Sequence, residues 1–580
     1  MAEGRWSHAA PLRRVLELLE AREEGWTRIF PTAVLVGLLA GALALGLHAG
    51  THGLQELLAP WLAGPAVLAL PALGALAGSW VVVRLLKEPP GHGVPEVVRA
   101  VCREGGRMHP RSIVSRWLGS LLHVGAGGSA GLEGPIVHSG AAVGAFVGER
   151  FHLDERRRGV LVACGVAAGI AGIFNAPLTG LAFSMEIVLA EVSALSLAPV
   201  ALAAAVAAGI ARAAHGDSPA FEAPMELSLG TADLILCLVL GVACGLVGVA
   251  LTRGVRAGHA LGERLHLGRV GTPAVFGLGV GVVGLLELRA LGDGYPLIQD
   301  AIGDGVSGAA LGLLGLFALK LVASSLSLGS GAPGGVFAPS LVLGALTGVL
   351  FHRAVAPLVP VAELAPVGSF ALAGMGGLIA ATLQAPLTGI LLVMEVTGGY
   401  GASLALMATS VTALLVARRF EPHSLYMRVL QEAGDLLRPG TDQRILADIR
   451  VRECLDGEVV PIREGMTLAD LVRAARRTTR NHFPVLDEDG ALVGMLELSS
   501  VRELMLDPEL ARVTLVGTVM EDGVVALPAD ADLASALARF DELGAWVLPV
   551  TDGSRFLGLV SKSTLFGIYR NELRMQTSEG

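Results

Sequence analysis

Asn175-Ala176-Pro177-Leu178-Thr179-Gly180 returns as Gln384-Ala385-Pro386-Leu387-Thr388-Gly389, and each copy runs on to a Met-Glu pair, Met185-Glu186 and Met394-Glu395. These matches stand 209 positions apart, and so do Gly165, Ile170 and Ala171 from Gly374, Ile379 and Ala380. A contiguous match at one offset marks a duplicated unit rather than a chance likeness of helix-packing sequence. Both copies lie in apolar surroundings. Runs such as Ile29–Leu47, Leu234–Leu251, Val270–Leu286 and Leu311–Leu326, the last interrupted by Lys320, recur from about residue 30 to residue 417. Several are shorter than the ~20 residues of a full span, and Gly and Pro interrupt them. Two matched halves built from broken apolar helices imply a pseudo-two-fold transporter, with the substrate site where the halves meet.

The bulk composition agrees. The 580 residues are 53% hydrophobic, 16% charged and 4% aromatic, with 77 glycines, and the mean hydropathy is +0.63. Small residues in such abundance let membrane helices pack closely. The net charge of −9 lies largely outside the apolar part, and no nucleic-acid footprint is visible. Cys102, Cys164, Cys237, Cys244 and Cys454 are scattered without a CxxC, so neither a disulfide framework nor a zinc site is expected. Residues 1–26 carry both charge signs and no signal-peptide apolar core. Arg13, Arg14 and Arg22 favour a cytoplasmic N-terminus, and Leu12, Val15, Leu16, Leu18 and Leu19 give residues 1–28 the apolar face of a helix lying along the membrane.

The apolar character ends near Phe420, and from Gln443 the chain reads as soluble α/β. The stretch from Phe483 to Leu496 is strand, Asp/Gly turn, strand, and it recurs from Leu548 to Val560; helical patterns, Leu468–Arg477 and Leu533–Leu543, precede the two copies.

Within the first half, Gly131-Leu132-Glu133-Gly134-Pro135 sets a carboxylate between glycines in apolar sequence. A carboxylate at membrane depth costs roughly 2.5–3.5 kcal/mol on insertion scales, so it usually has a task. Proline suits a first helical turn and glycine a close backbone approach, so Glu133 is expected at the positive mouth of a helix. Helix packing explains most of this chain's glycines, but not a carboxylate among them.

Four stretches in order resemble the CLC chloride channel and transporter family: Gly91-His92-Gly93-Val94-Pro95-Glu96, the Glu133 loop, Gly334-Gly335-Val336-Phe337-Ala338-Pro339, and Tyr426 within Ser424-Leu425-Tyr426. The C-terminal pair is similar to tandem CBS domains. The resemblance implies an all-α polytopic membrane domain of two inverted halves, about 29–215 and 228–430 within 29–430, with a linker at 431–445, CBS modules at 446–508 and 514–572, and a tail at 573–580. It implies an anion site drawn from His92, Gly93, Val94, Gly134, Gly335, Val336, Phe337, Ala338 and Tyr426, with Glu133 as protonatable gate. Three helix N-termini with unpaired N–H groups would hold a bare chloride without the full counter-charge that would prevent its release. Chloride or a related anion and protons are the implied substrates. A homodimer in a bacterial plasma membrane, with cytoplasmic CBS domains, is the implied setting.

Three positions depart from the family pattern. His92 stands where many members carry serine; it either donates one N–H to the anion or turns away and leaves the work to a backbone amide, which opens the question of which anion is preferred. Leu132 replaces a basic residue beside the gate. Ile187 replaces the inner proton-relay glutamate of many exchangers, while Glu186 and its repeat mate Glu395 read as structural. Chloride/proton antiport and a passive voltage- or pH-gated chloride channel both fit. A CBS-regulated cation transporter would need oxygen clusters at membrane depth, where isolated Glu133, Glu186 and Glu395 stand instead. No nucleophile–base pair or metal-ligand spacing points to an enzyme. No cofactor is expected in the membrane part. In the CBS pair, Gly494-Met-Leu-Glu497-Leu-Ser-Ser500 and Gly558-Leu-Val-Ser561-Lys-Ser-Thr564 lack the closing Asp that holds ribose in nucleotide-binding members, so packing without ligand and adenine-nucleotide sensing both stay open, the former favoured.

Overall fold

The apolar runs become helices whose lengths follow the interruptions. The computed structural model describes residues 9–190, 193–216, 219–221, 231–303, 309–359, 364–433, 446, 449–457 and 459–578. The chain divides into two units, Met1–Leu436 and Leu437–Gly580. Most of the expected linker, and the last two residues of the expected tail, lie outside the described residues.

In the first unit the helices are α1 (Ala9–Leu62), α2 (Leu70–Trp80), α3 (Val94–Arg103), α4 (Ser112–Gly125), α5 (Glu133–Arg150), α6 (Glu155–Phe174), α7 (Pro177–Phe183), α8 (Ala194–His215) and α9 (Thr231–Leu265). They continue as α10 (Gly268–Leu286), α11 (Tyr295–Ile302), α12 (Ala310–Gly329), α13 (Phe337–Val355), α14 (Val367–Leu383), α15 (Pro386–Thr397), α16 (Ser403–Phe420) and α17 (Leu425–Glu432). Among the described residues, eight segments are long and apolar enough to cross a membrane, from Arg28–Leu62 to Ser403–Glu432; α14, α15 and the stretch from Pro177 to Leu189 are apolar but shorter. Of the surface helix expected at 1–28, residues 1–8 lie outside the described residues, and from Ala9 the chain is helical through residue 28 and on to Leu62, with Pro31 inside α1.

The repeat is visible as repeated geometry. Asn175 and Gln384 close α6 and α14 in the left-handed conformation, at φ 53° and 55°, and Pro177 and Pro386 then open α7 and α15. A Cβ on Gly140 would meet the Gly165 carbonyl oxygen at 2.2 Å, and one on Gly344 would meet that of Gly374 at 2.4 Å. The pairs α5/α6 and α13/α14 therefore touch backbone to backbone through equivalent glycines, the close approach that small residues permit in membrane helices. The halves also clasp each other. Glu395 accepts from the Leu178 and Thr179 amides at 2.8 and 2.7 Å and from the Thr179 hydroxyl at 2.7 Å. Glu186 accepts from the Leu387 and Thr388 amides at 3.2 and 2.9 Å and from the Thr388 hydroxyl at 2.7 Å. Each carboxylate caps the first turn of the equivalent helix in the other half, where unpaired N–H groups favour an anion.

The second unit holds two sheets. In one, β1 (Ile462–Arg463) runs parallel to β2 (His482–Leu486), which pairs antiparallel with β3 (Leu492–Glu497) and that in turn with β4 (Glu521–Asp522). In the other, β5 (Leu527–Pro528) runs parallel to β6 (Val547–Asp552), which pairs antiparallel with β7 (Arg555–Ser561). The helices are α18 (Leu468–Ala475), α19 (Arg502–Leu506), α20 (Pro508–Val513), α21 (Leu533–Leu543) and α22 (Lys562–Ser578). The two cores exchange their leading segments. Val451 and Cys454 pack with Leu533 and Phe540 of α21 and Val550 of β6, while Val516 packs with Leu468 of α18 and Phe483 of β2.

Candidate functional site

Three helix starts meet in the first unit. Gly131 and Gly335, just ahead of α5 and α13, exchange backbone hydrogen bonds at 2.8 and 2.7 Å. A Cβ on Gly335 would stand 2.7 Å from the Gly134 amide nitrogen, and one on Gly134 would stand 2.9 Å from the His92 carbonyl oxygen, so glycine is what lets these loops touch. Gly93, at φ 89°, turns the chain into α3 with Pro95 in its first turn. Val94, Val336, Phe337 and Ala338 are all buried here. The first N–H groups of a helix lack partners within it and carry partial positive charge, so their meeting forms a cradle for an anion.

Glu133 is the first residue of α5 and is fully buried. Its Oε2 lies against both cradle glycines: a Cβ on Gly131 would stand 1.9 Å from it, and one on Gly335 3.2 Å. Among the described residues that oxygen has no hydrogen-bond partner, whereas Oε1 accepts from the Tyr295 hydroxyl at 2.9 Å. The carboxylate thus sits where these helix starts meet.

Tyr426, from α17, is fully buried, and its hydroxyl also lacks a partner among the described residues. Its ring centroid is 6.5 Å from that of His92. His92 is buried, and its Nδ1 lies 3.0 Å from the Gly334 carbonyl oxygen. A carbonyl can only accept, so Nδ1 holds the proton, and neutral His92 has an acceptor, not a donor, at Nε2. A cavity of about 170 Å³ opens beside His92, with Glu96, Arg256, His259, Arg428 and Glu432 in its wall.

The structure brings Glu133, His92, Gly93, Gly134, Gly335 and Tyr426 together, with Val94, Val336, Phe337 and Ala338 at the helix starts between them. Leu132 is fully buried in the apolar core. Ile187 is buried in a π-helical turn, Ser184–Leu189, that continues α7. Two polar groups were not anticipated. Arg116 is fully buried near Gly93, donating to the Pro89 carbonyl at 2.7 Å and pairing with Glu96 at 3.1 Å. Tyr295 opens α11, and the signal for it was present: Gly294-Tyr295-Pro296 has the same pattern as Gly93-Val94-Pro95, with Gly294 at φ 79°. Among the described residues no group of His, Cys, Asp or Glu is arranged to hold a metal ion.

Residues 73–418 match the family described as voltage gated chloride channel. This chain belongs to the CLC family. Residues 451–507 and 516–571 match the CBS domain. The H(+)/Cl(-) exchange transporter ClcA of Vibrio parahaemolyticus is 35% identical over 425 residues, covering 70% of this chain and 90% of that protein. Its counterpart in Salmonella arizonae is 32% identical over 433 residues, covering 72% and 91%. A solved structure of a slow cyanobacterial Cl-/H+ antiporter superimposes with a TM-score of 0.64 at 26% identity, over 70% of this chain and 98% of its own. A CLC-type fluoride/proton antiporter shares the fold, with a TM-score of 0.60 at 24% identity over 69% of this chain and 97% of its own. The protein is therefore a multi-pass membrane protein of the CLC family, not an enzyme, with a largely helical membrane domain and C-terminal α/β CBS domains.

Proposed function

We propose that this protein exchanges chloride for protons across the membrane, with Glu133 as both gate and proton acceptor. The observation that carries the reading is the buried Glu133 carboxylate lying among the meeting starts of α5 and α13, against Gly131 and Gly335. A carboxylate there competes with an anion for the same N–H groups. Protonation removes its charge and its claim on the cradle, so the side chain swings out and the anion enters; the return of the side chain expels the anion and releases the proton. Chloride fits a cradle of amide dipoles and one hydroxyl, that of Tyr426, because such donors hold it without trapping it. Relatives named as H(+)/Cl(-) exchange transporters over most of their length support exchange and support chloride.

A passive, gated channel is the second reading. Ile187 favours it, since an apolar side chain stands where many exchangers carry a proton-relay glutamate. The protein works as a homodimer with one pore per subunit, its N-terminus and CBS domains cytoplasmic. The experiment is a reversal-potential measurement in reconstituted vesicles. A shift of reversal potential when only the pH gradient changes supports exchange. A reversal potential that follows chloride alone overturns it in favour of the channel.

A further inference from the structure

Among the described residues, Glu133 has one hydrogen-bonded side-chain neighbour, the Tyr295 hydroxyl at 2.9 Å. That hydroxyl is held by its surroundings. The Tyr295 ring meets Phe221 edge-on at 5.9 Å and Phe174 at 6.4 Å between centroids. Its backbone is fixed as well. The Asp293 carboxylate accepts from the Tyr295 amide at 3.3 Å. Fully buried Lys320, from the middle of α12, donates to the carbonyl oxygens of Ala290 and Gly292 at 3.1 and 2.9 Å and so clamps the turn that leads into α11. A buried lysine is costly at membrane depth, and here it secures the segment that aims one phenol at the gate.

We propose that Tyr295 is a positioning residue of the gate: its hydroxyl latches the Glu133 carboxylate in the anion cradle and so sets how readily the cradle opens. The inference rests on the reading of Glu133 as the gate. A phenol donating to a carboxylate makes a charge-assisted hydrogen bond, which favours the ionised, docked form over the protonated, undocked one. The other groups facing Glu133 do not replace it. Tyr426 makes no hydrogen bond to Glu133 among the described residues, buried Asp293 brings a like charge, and Lys320 donates to the Ala290 and Gly292 carbonyls. His92 and His123 commit Nδ1 to the carbonyls of Gly334 and Pro333.

The test is anion flux against pH in vesicles for the unaltered protein, Tyr295→Phe, Glu133→Gln and the double variant. Losing the latch moves half-maximal activation about one pH unit toward alkaline, or roughly tenfold in flux at a fixed pH on the rising limb. In the Glu133→Gln background, Tyr295→Phe is expected to change nothing. A Tyr295→Phe profile that overlays the unaltered one, beside a flat Glu133→Gln profile, overturns the latch and leaves the gate standing. A Glu133→Gln variant that keeps the full pH profile overturns the gate, and the latch with it. If Tyr295→Phe fails to fold, a fluorotyrosine at 295 decides: a more acidic hydroxyl donates more strongly, so an acid shift of the profile supports the latch and an unmoved profile overturns it.

Discussion

His92 shows how one hydrogen bond decides what a side chain can offer an anion. With its Nδ1 proton given to the Gly334 carbonyl, neutral His92 presents a lone pair at Nε2, which repels an anion, while imidazolium presents an N–H and a full charge. Serine in its place would donate at any pH. His92→Ser is therefore expected to raise chloride flux relative to fluoride, nitrate and bicarbonate at pH 8 by several-fold. Flux of the four anions checks it, and unchanged ratios would mean that Nε2 faces away from the ion path. The residue pattern of the site was legible because Gly and Pro at helix starts follow from backbone sterics that any sequence obeys. Tyr295 was less legible: it stands 162 positions from Glu133, and nothing in its own neighbourhood says which carboxylate its hydroxyl meets. Arg116 was hidden for the same reason, since its partner Glu96 is on another helix.

At the scale of elements, the repeat announced equivalence but not contact. The common offset of 209 residues paired Glu186 with Glu395 as counterparts, and a structural role was expected for both. The offset could not reveal that each caps the other half's helix, because sequence spacing encodes which elements correspond and packing decides which of them touch. The change from mixed charge to apolar sequence near residue 28 falls inside α1, whose backbone runs on through it. The reciprocal caps give a matched prediction. Glu186→Ala and Glu395→Ala each remove an acceptor from two amides and a hydroxyl, and each is expected to cost about 1–2 kcal/mol. Thermal unfolding in detergent should show closely similar losses for the two variants, with the pH dependence of flux per folded protein unchanged. A Glu186→Ala variant that keeps its stability and loses proton coupling would assign Glu186 to a relay instead.

At the scale of the whole molecule, the division into an apolar helical part and an α/β part was legible from composition and strand–turn–strand repeats, because the two solvents select different residues. The exchange of leading segments between the CBS cores was not legible, since short apolar segments such as Val451–Cys454 fit either core equally well by pattern. That exchange has a chemical consequence. It carries Asp456, whose side chain is 5% exposed, onto the second module, where its amide donates to the Leu559 carbonyl at 2.8 Å. Its carboxylate accepts from the hydroxyls of Ser561 and Thr564, and Ser561 and Thr564 are themselves 2.8 Å apart. These hydroxyls belong to the stretch that, in nucleotide-binding CBS modules, turns toward ribose. Here they are engaged by a carboxylate of the same chain that also pairs with Arg480 at 3.6 Å, so a nucleotide would have to displace an intact hydrogen-bonded and ion-paired cluster. Adenosine triphosphate at about 5 mM is therefore expected to leave the unfolding temperature of the full chain unmoved, whereas a ligand with a Kd near 50 μM would add about 2.7 kcal/mol. Asp456→Ala should lower the stability of the CBS unit by about 1–3 kcal/mol, because the Ser561 and Thr564 hydroxyls lose an acceptor and Arg480 loses its partner. A clear upward shift with nucleotide in the unaltered protein, lost in Asp456→Ala, would instead make Asp456 the ribose ligand that the motif lacks at Thr564.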